Sequence, residues 1–116
     1  MRFVKSTIIS STLISTMTFT VQAEINVVAS VKPVHSLVSG VMDGVEKPAL
    51  IVKGAASPHT YSLKPSQAKQ LEEADLVFWM GHELESFLEK PLEAIATKAK
   101  VVELIDSHEL KKIRYA

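Results

Sequence analysis

Four histidines carry the clearest chemical potential in this chain, because each follows a short apolar run by a few residues: His35, His59, His82 and His108. Neutral imidazole is the commonest metal ligand in proteins and suits zinc, copper, iron and nickel. Imidazoles gathered at one place would therefore indicate a transition-metal site. Each histidine taken alone is also consistent with an ordinary role in a loop or at a helix end.

His59 has the most distinctive surroundings of the four. It lies in GAASPHTYSLKPSQAKQL, residues 54–71, where small residues and Pro58 precede a helix that we predict to begin at Pro65. Spacing alone leaves two interpretations equally open for His59, a metal ligand and an ordinary loop histidine.

The other three histidines have simpler interpretations. His35 falls in a first helical turn, where a hydrogen bond to a neighbouring loop is more expected than metal ligation. His82 precedes an acidic helix start and is expected to cap that helix, with lining a crevice as the alternative. His108, in DSHELKK, is expected at the solvated surface.

Motifs for other kinds of chemistry are absent from the sequence. No G-x-G-x-x-G or P-loop pattern follows an apolar run, so nucleotide phosphates have no evident cradle. There is no G-x-S-x-G elbow and no cysteine nucleophile. Four carboxylates at helical spacing predict a solvated helix face: Glu83, Glu85, Glu89 and Glu93. We therefore expect that the chain is not an enzyme.

The elements that position these residues alternate between strand and helix. Short apolar runs predict buried strands over Ile25–Ser30, Ala49–Lys53, Leu76–Met80 and Val101–Ile105. Apolar residues at helical spacing predict helices that begin near Pro33 and Pro65 and a third over Leu84–Ile95. Pro91 must kink this third helix or start a new one, because an interior proline loses a hydrogen bond and clashes with the preceding turn.

This alternation predicts the α/β class, a three-layer lobe with a four-stranded parallel sheet. In such sheets ligands collect beyond the carboxyl ends of the strands. Because every histidine follows a predicted strand, we expect all four to lie near that edge.

Residues 1–23, MRFVKSTIISSTLISTMTFTVQA, have the layout of a secretory signal peptide. Arg2 and Lys5 lead a Ser/Thr-diluted apolar stretch that ends at the small residue Ala23. The stretch is too short and too rich in hydroxyl groups for a convincing membrane span. We expect export, a mature α/β lobe over residues 24–116, and no stable membrane insertion after the leader is removed.

Composition narrows the possible partners. Removal of the leader takes away two basic residues and no acidic one from a chain with 13 of each, so the mature chain is slightly acidic. Nucleic acid is therefore not expected as a partner, since it favours a clustered basic face. The chain contains 47% hydrophobic and 22% charged residues, as globular proteins do. The terminal ELKKIRYA carries no stop signal, so we expect a chain truncated relative to a longer protein.

Three stretches within residues 25–105 carry a family resemblance: VVASVKPVHSLVSGVMDGV, LIVKGAASPHTYSLKPSQAKQLEEADLVFWMG and LESFLEKPLEAI. Together they resemble the N-terminal lobe of the high-affinity zinc-uptake solute-binding proteins of bacterial ABC transporters, in the metal-specific group of such proteins. The most specific element is the family pattern G-A-S-x-H-x-Y-x-L-x-P-S, followed by ADLV. In this chain the G-A-S part of the pattern is written GAAS, with one extra alanine.

The resemblance implies a bilobed carrier, in which two α/β lobes are joined by one long helix and hold a single metal ion between them. It implies that His59 is a zinc ligand, that Zn(II) is the transported ligand, and that the other protein ligands lie beyond Ala116. Some members have an acidic residue directly before this histidine, where this chain has Pro58. A periplasmic location and a membrane permease with its ATPase as partners follow from the same resemblance.

Two alternatives stay open. A manganese or iron carrier of the same family would use more carboxylate ligands, since harder ions prefer them. A metal-dependent adhesin-type interaction module is the second, although family adhesins tend to be lipid-anchored through a cysteine that this chain lacks.

Overall fold

A computed structural model describes residues 24–54, 56–107 and 111, so the predicted leader and His108 lie outside the described residues. Strands and helices alternate along the chain: β1 (Val27–Ala29), α1 (Lys32–Val41), β2 (Ala49–Leu50), α2 (Pro65–Glu73), β3 (Leu76–Trp79), α3 (Ser86–Ala94) and β4 (Lys100–Glu103). A short 3-10 helix, Leu104–Asp106, follows β4.

The strands form one parallel sheet in the order β2-β1-β3-β4, which confirms the predicted four-stranded parallel sheet. Its centre is β1, where Val28 pairs with a residue of β2 on one side and a residue of β3 on the other. The strands are shorter than predicted. β2 has only two residues, but pairing continues past it, because Ile51 and Val52 donate to the carbonyls of Ala29 and Ser30 at 3.1 and 2.8 Å.

The helices cover the sheet from both sides. Leu76 and Phe78 line an apolar groove together with residues of α1, so α1 lies on their face of β3. Trp79 alternates to the opposite face, where it lines a concavity with Leu92 of α3. Since α2 contacts α3, two helices share that second face, and the predicted three-layer arrangement is confirmed.

The core lies mainly between the sheet and the α2/α3 layer. Leu71 of α2, Leu88 of α3 and Val77 of β3 are all 0% exposed. The α1 face is less completely covered, since α1 is the only α-helix there within the described part of the chain. Leu37 and Val41 on α1 remain 70% and 86% exposed beside the groove of about 440 Å³.

Pro91 lies inside α3 without ending it. The helix continues from Ser86 to Ala94, so the predicted alternative of a new helix at Pro91 is wrong. A proline inside a helix removes one backbone donor, but Leu88 and Leu92 are both buried and hold the segments before and after it against the core. None of the helices in the described ranges is long and apolar enough to cross a membrane.

Asp75 ties the strands together at their amino ends. Its carboxylate accepts a hydrogen bond from the backbone N–H of Asn26 at 2.9 Å and lies 3.3 Å from Lys98 Nζ. Its own carbonyl accepts from the N–H of Lys100, the first residue of β4, at 3.0 Å. The Asn26 hydrogen bond, with the Lys98 ammonium second, lowers the pKa of the Asp75 carboxyl below its ordinary value.

Truncating Leu88 should test the core. Leu88→Ala should lower the free energy of unfolding by about 2–5 kcal/mol, because it removes apolar contacts and leaves a cavity. Leu37→Ala makes the same chemical change at an exposed position and should alter the free energy of unfolding by less than about 0.5 kcal/mol. Urea unfolding followed by circular dichroism measures both. Equal losses would contradict the proposed core.

Asp75→Asn should change the acid sensitivity of the fold. Because the folded-state pKa of Asp75 is lowered, its stabilisation is complete above the ordinary carboxyl pKa of about 4 and is lost as the pH falls through the lower folded-state value. The variant should therefore unfold at lower urea concentration than the wild type near pH 6, and the difference should narrow below about pH 4. A difference that stayed constant across this range would show that the carboxylate charge is not the cause.

Candidate metal site

The connection between β2 and α2 holds His59. This connection leaves the sheet at the carboxyl end of β2 and turns at Gly54, whose φ of 73° lies in the left-handed region that favours glycine. His59 is exposed, and its backbone N–H donates to Ser57 Oγ at 3.3 Å. As predicted, the imidazole belongs to the loop that follows the carboxyl end of the strand. Its role as a metal ligand stays a prediction.

A buried amide anchors this loop. Gln67, in the first turn of α2 and 6% exposed, donates from Nε2 to the carbonyl oxygen of Ile51 at 2.8 Å and to the Tyr61 hydroxyl at 2.7 Å. Its Oε1 accepts from the backbone N–H of Lys64 at 2.9 Å. The Tyr61 ring packs against Phe87 of α3, with centroids 5.2 Å apart. We call this hydrogen-bonded set, Gln67 with Ile51, Tyr61 and Lys64, the Gln67 brace.

His82 lies where β3 and β4 end. Its side chain is largely exposed, and Nδ1 is 3.6 Å from Oε1 of Glu103, the last residue of β4. Gly81 packs so closely against the same carboxylate that a Cβ there would come within 2.5 Å of it. The predicted capping of α3 by His82 is wrong, because the residue at the N-cap of α3 is Glu85.

Glu85 is a buried carboxylate at this edge. It is 0% exposed, and its Oε2 accepts hydrogen bonds from the backbone N–H groups of Met80 and Gly81 at 2.7 and 3.3 Å. The prediction that Glu85 shares a solvated acidic face is therefore wrong, whereas Glu83, Glu89 and Glu93 are exposed. Backbone donors just past the end of a strand need an acceptor, and the Glu85 side chain supplies it through Oε2.

His35 does not reach the carboxyl edge. Its Nε2 lies 2.9 Å from the carbonyl oxygen of Pro48, the residue directly before β2, and donates to it. The expected hydrogen bond to a neighbouring loop is confirmed. The expectation that all four histidines share one edge is wrong for His35, because α1 carries its ring back towards the start of β2.

These positions limit what the edge can bind. Among the described residues, no group of three or more His, Asp or Glu side chains is placed to hold a metal ion. Protein zinc sites have about four ligands in a tetrahedral arrangement. Within the described residues the edge therefore presents the exposed imidazoles of His59 and His82 on separate loops, and neither belongs to a complete zinc site.

Sequence reasoning overlooked two residues that shape this edge. Gln67 had a readable signal, since a glutamine at the third position of the helix that starts at Pro65 can accept from the backbone N–H of the residue before the helix, as it does here from Lys64 at 2.9 Å. Glu85 had none, because its acceptor role depends on how the turn between β3 and α3 folds back on the strand.

Comparison with known proteins identifies a family. Residues 27–114 match the family described as ZnuA, zinc-uptake complex component A periplasmic. The high-affinity zinc uptake system protein ZnuA of Brucella abortus (strain 2308) is 53% identical over 89 residues, which cover 77% of this chain and 27% of that protein. The protein of the same name from Haemophilus influenzae is 38% identical over 112 residues, 97% of this chain and 32% of that protein. The chain thus spans about a third or less of the length of these relatives.

Solved structures share the fold. A manganese-bound periplasmic metal binding protein from Candidatus Liberibacter asiaticus matches with a TM-score of 0.65 at 18% identity, over 73% of this chain and 32% of that one. Zn(II)-bound AdcA from Streptococcus pneumoniae matches with a TM-score of 0.61 at 20% identity, over 70% of this chain and 18% of that one. The α/β lobe is therefore one that periplasmic metal-binding proteins use.

Zinc titration of the 116-residue chain should reveal only weak binding, because one imidazole cannot complete a tetrahedral site. Isothermal titration calorimetry should detect no tight stoichiometric event. Proton NMR during the same titration should perturb the imidazole resonances of His59, while those of His35, whose Nε2 is engaged by Pro48, should remain in place. A tight single site abolished by His59→Ala would contradict this prediction.

Proposed function

This chain belongs to the ZnuA family of periplasmic zinc-uptake components, and from that premise we propose that it forms the N-terminal lobe of a carrier that captures Zn(II). In this proposal the carrier delivers the ion to the permease and ATPase of an ABC transporter. Residues 1–23 direct export to the periplasm, and residues 24–116 form the lobe. The protein binds and releases its ligand and has no catalytic role.

The observation that carries the proposal is the position of His59. The imidazole is exposed in the loop that follows the carboxyl end of β2, within the stretch that matches the family. This is the edge at which open parallel sheets bind ligands. The relatives from Brucella abortus and Haemophilus influenzae are both named for high-affinity zinc uptake.

The chemistry follows from the ligand count. His59 would supply one nitrogen to the ion, and the remaining ligands would come from the part of the longer relatives that this chain does not span. Capture would then require the two parts to approach each other, because neither offers a full coordination sphere. Tight binding in the closed state and easy release from the open state suit a protein that hands its ligand to a transporter.

Zinc is favoured over manganese at His59 by ligand chemistry. Imidazole nitrogen suits zinc, whereas harder ions prefer sites rich in carboxylate oxygen. The residue directly before His59 is Pro58, which offers no carboxylate. The likeness to a manganese-bound protein, at 18% identity, concerns the fold and does not shift this preference.

A chimeric carrier tests the proposal. Residues 24–116 would replace the matching segment of the Brucella abortus relative, and a competing chelator dye would report zinc affinity. His59→Ala should weaken binding by at least about 100-fold, since loss of supporting residues alone costs about 10–100-fold. His82→Ala removes another exposed histidine of the same edge and should leave the affinity within about threefold, a small effect on this scale.

Two outcomes would count against the proposal. Unchanged zinc affinity in the His59→Ala chimera would remove His59 from the site. A chimeric carrier that retained manganese or iron in place of zinc when purified without chelator would assign the lobe to a different metal carrier.

A further inference from the structure

The Gln67 brace joins four points of the chain that lie on either side of His59. Ile51 is just past the end of β2, Tyr61 follows His59 by two residues, and Lys64 directly precedes α2. The amide uses its Oε1 as acceptor and its Nε2 as donor to two partners, which is nearly its full hydrogen-bonding capacity. Gln67 therefore closes the loop that carries His59, together with the Tyr61 hydroxyl, which donates to the same Ile51 carbonyl at 3.4 Å.

The closure shortens the free part of the connection. Without the brace the unrestrained segment would extend from the end of β2 to the start of α2. With the brace it extends only from Ile51 to Tyr61. Phe87 of α3 adds a second restraint, because the Tyr61 ring packs against it at 5.2 Å between centroids. Fixing a loop before binding removes part of the entropy cost that a ligand would otherwise have to offset.

Burial makes the brace specific for an amide. Gln67 is 6% exposed, so each lost hydrogen bond leaves a backbone or hydroxyl group with reduced access to water. A carboxylate at this position would keep the acceptor for the Lys64 N–H but could donate neither to the Ile51 carbonyl nor to Tyr61. A thioether would fill the space and make none of the three bonds.

We propose that Gln67 is a positioning residue for metal capture: its amide holds the loop between Ile51 and Tyr61 in the conformation that presents the His59 imidazole, without touching the ion. The inference rests on the proposed function, because it assumes that His59 binds zinc. It adds a residue that acts through the loop and not through coordination.

The first arm of the test uses the 116-residue chain without metal. Heteronuclear NOE values of the backbone amides of Ser57, His59 and Thr60 should fall in Gln67→Met and Gln67→Glu, and less in Tyr61→Phe, which removes one hydroxyl only. Gln70→Met is the matched control, since it makes the same change one turn along α2, where Oε1 of the glutamine has no hydrogen-bond partner among the described residues. The control should leave these amides unchanged.

The second arm measures zinc affinity in the chimeric carrier described above. Gln67→Met should weaken zinc binding by about tenfold, the lower end of the range for residues that support metal ligands. Gln70→Met should not change it. Val27→Ala, at the amino end of β1, lowers stability away from the loop and should not weaken zinc binding, which separates positioning from general destabilisation.

The two arms distinguish failure of the positioning role of Gln67 from failure of the zinc site at His59. Weaker binding after His59→Ala with unchanged binding after Gln67→Met would overturn the positioning role while leaving the zinc site intact. Unchanged binding after His59→Ala would overturn the zinc site itself, and the positioning role with it. A loop that stays rigid in Gln67→Met would also refute the inference. If Gln67→Met does not fold, Gln67→Glu and Tyr61→Phe carry both measurements.

Discussion

Parallel pairing of β1 with a neighbour on each side is the constraint on which the rest of this lobe depends. Because β2 and β3 both run in the direction of β1, every strand delivers its following loop to the same edge. Helices must then return each strand to the start of the next, and they cover both faces of the sheet. The edge is left as the place where loops meet solvent, and His59 lies on one of those loops.

Because the strands are short, backbone groups at that edge need hydrogen-bond partners outside the sheet. When a strand ends after two to four residues, the backbone groups beyond it still need hydrogen-bond partners, and an unpaired buried group costs about 1–3 kcal/mol. Two side chains meet this need. Gln67 donates to the carbonyl of Ile51 after β2, and Glu85 accepts from the N–H groups of Met80 and Gly81 after β3. The same side chains fix the loops that leave the edge, so satisfying the backbone also sets the shape of the candidate site.

In the proposed carrier, one exposed imidazole on a hydrogen-bonded loop suits reversible capture better than it suits a permanent metal site. A complete tetrahedral site within one lobe would bind zinc whether or not the protein had closed, and release would be slow. In the proposed carrier the ion is held by groups from two parts of a longer protein, so affinity depends on their relative position. In that carrier a rigid loop would present the His59 imidazole, and movement between the two parts would control capture and release of the ion.

The sequence by itself determined the fold class, the number of strands and their succession along the chain, the helices between them and the loop that carries His59, whereas the order of the strands within the sheet came from the structure. Those features follow from apolar runs, helical spacing and proline positions, which act over a few neighbouring residues. Only the tertiary structure decided that His35 turns away to Pro48, that Glu85 is buried and that Gln67 joins the two ends of the His59 loop. Each of these depends on which unpaired backbone group a polar side chain meets, and packing between elements distant in sequence sets that meeting.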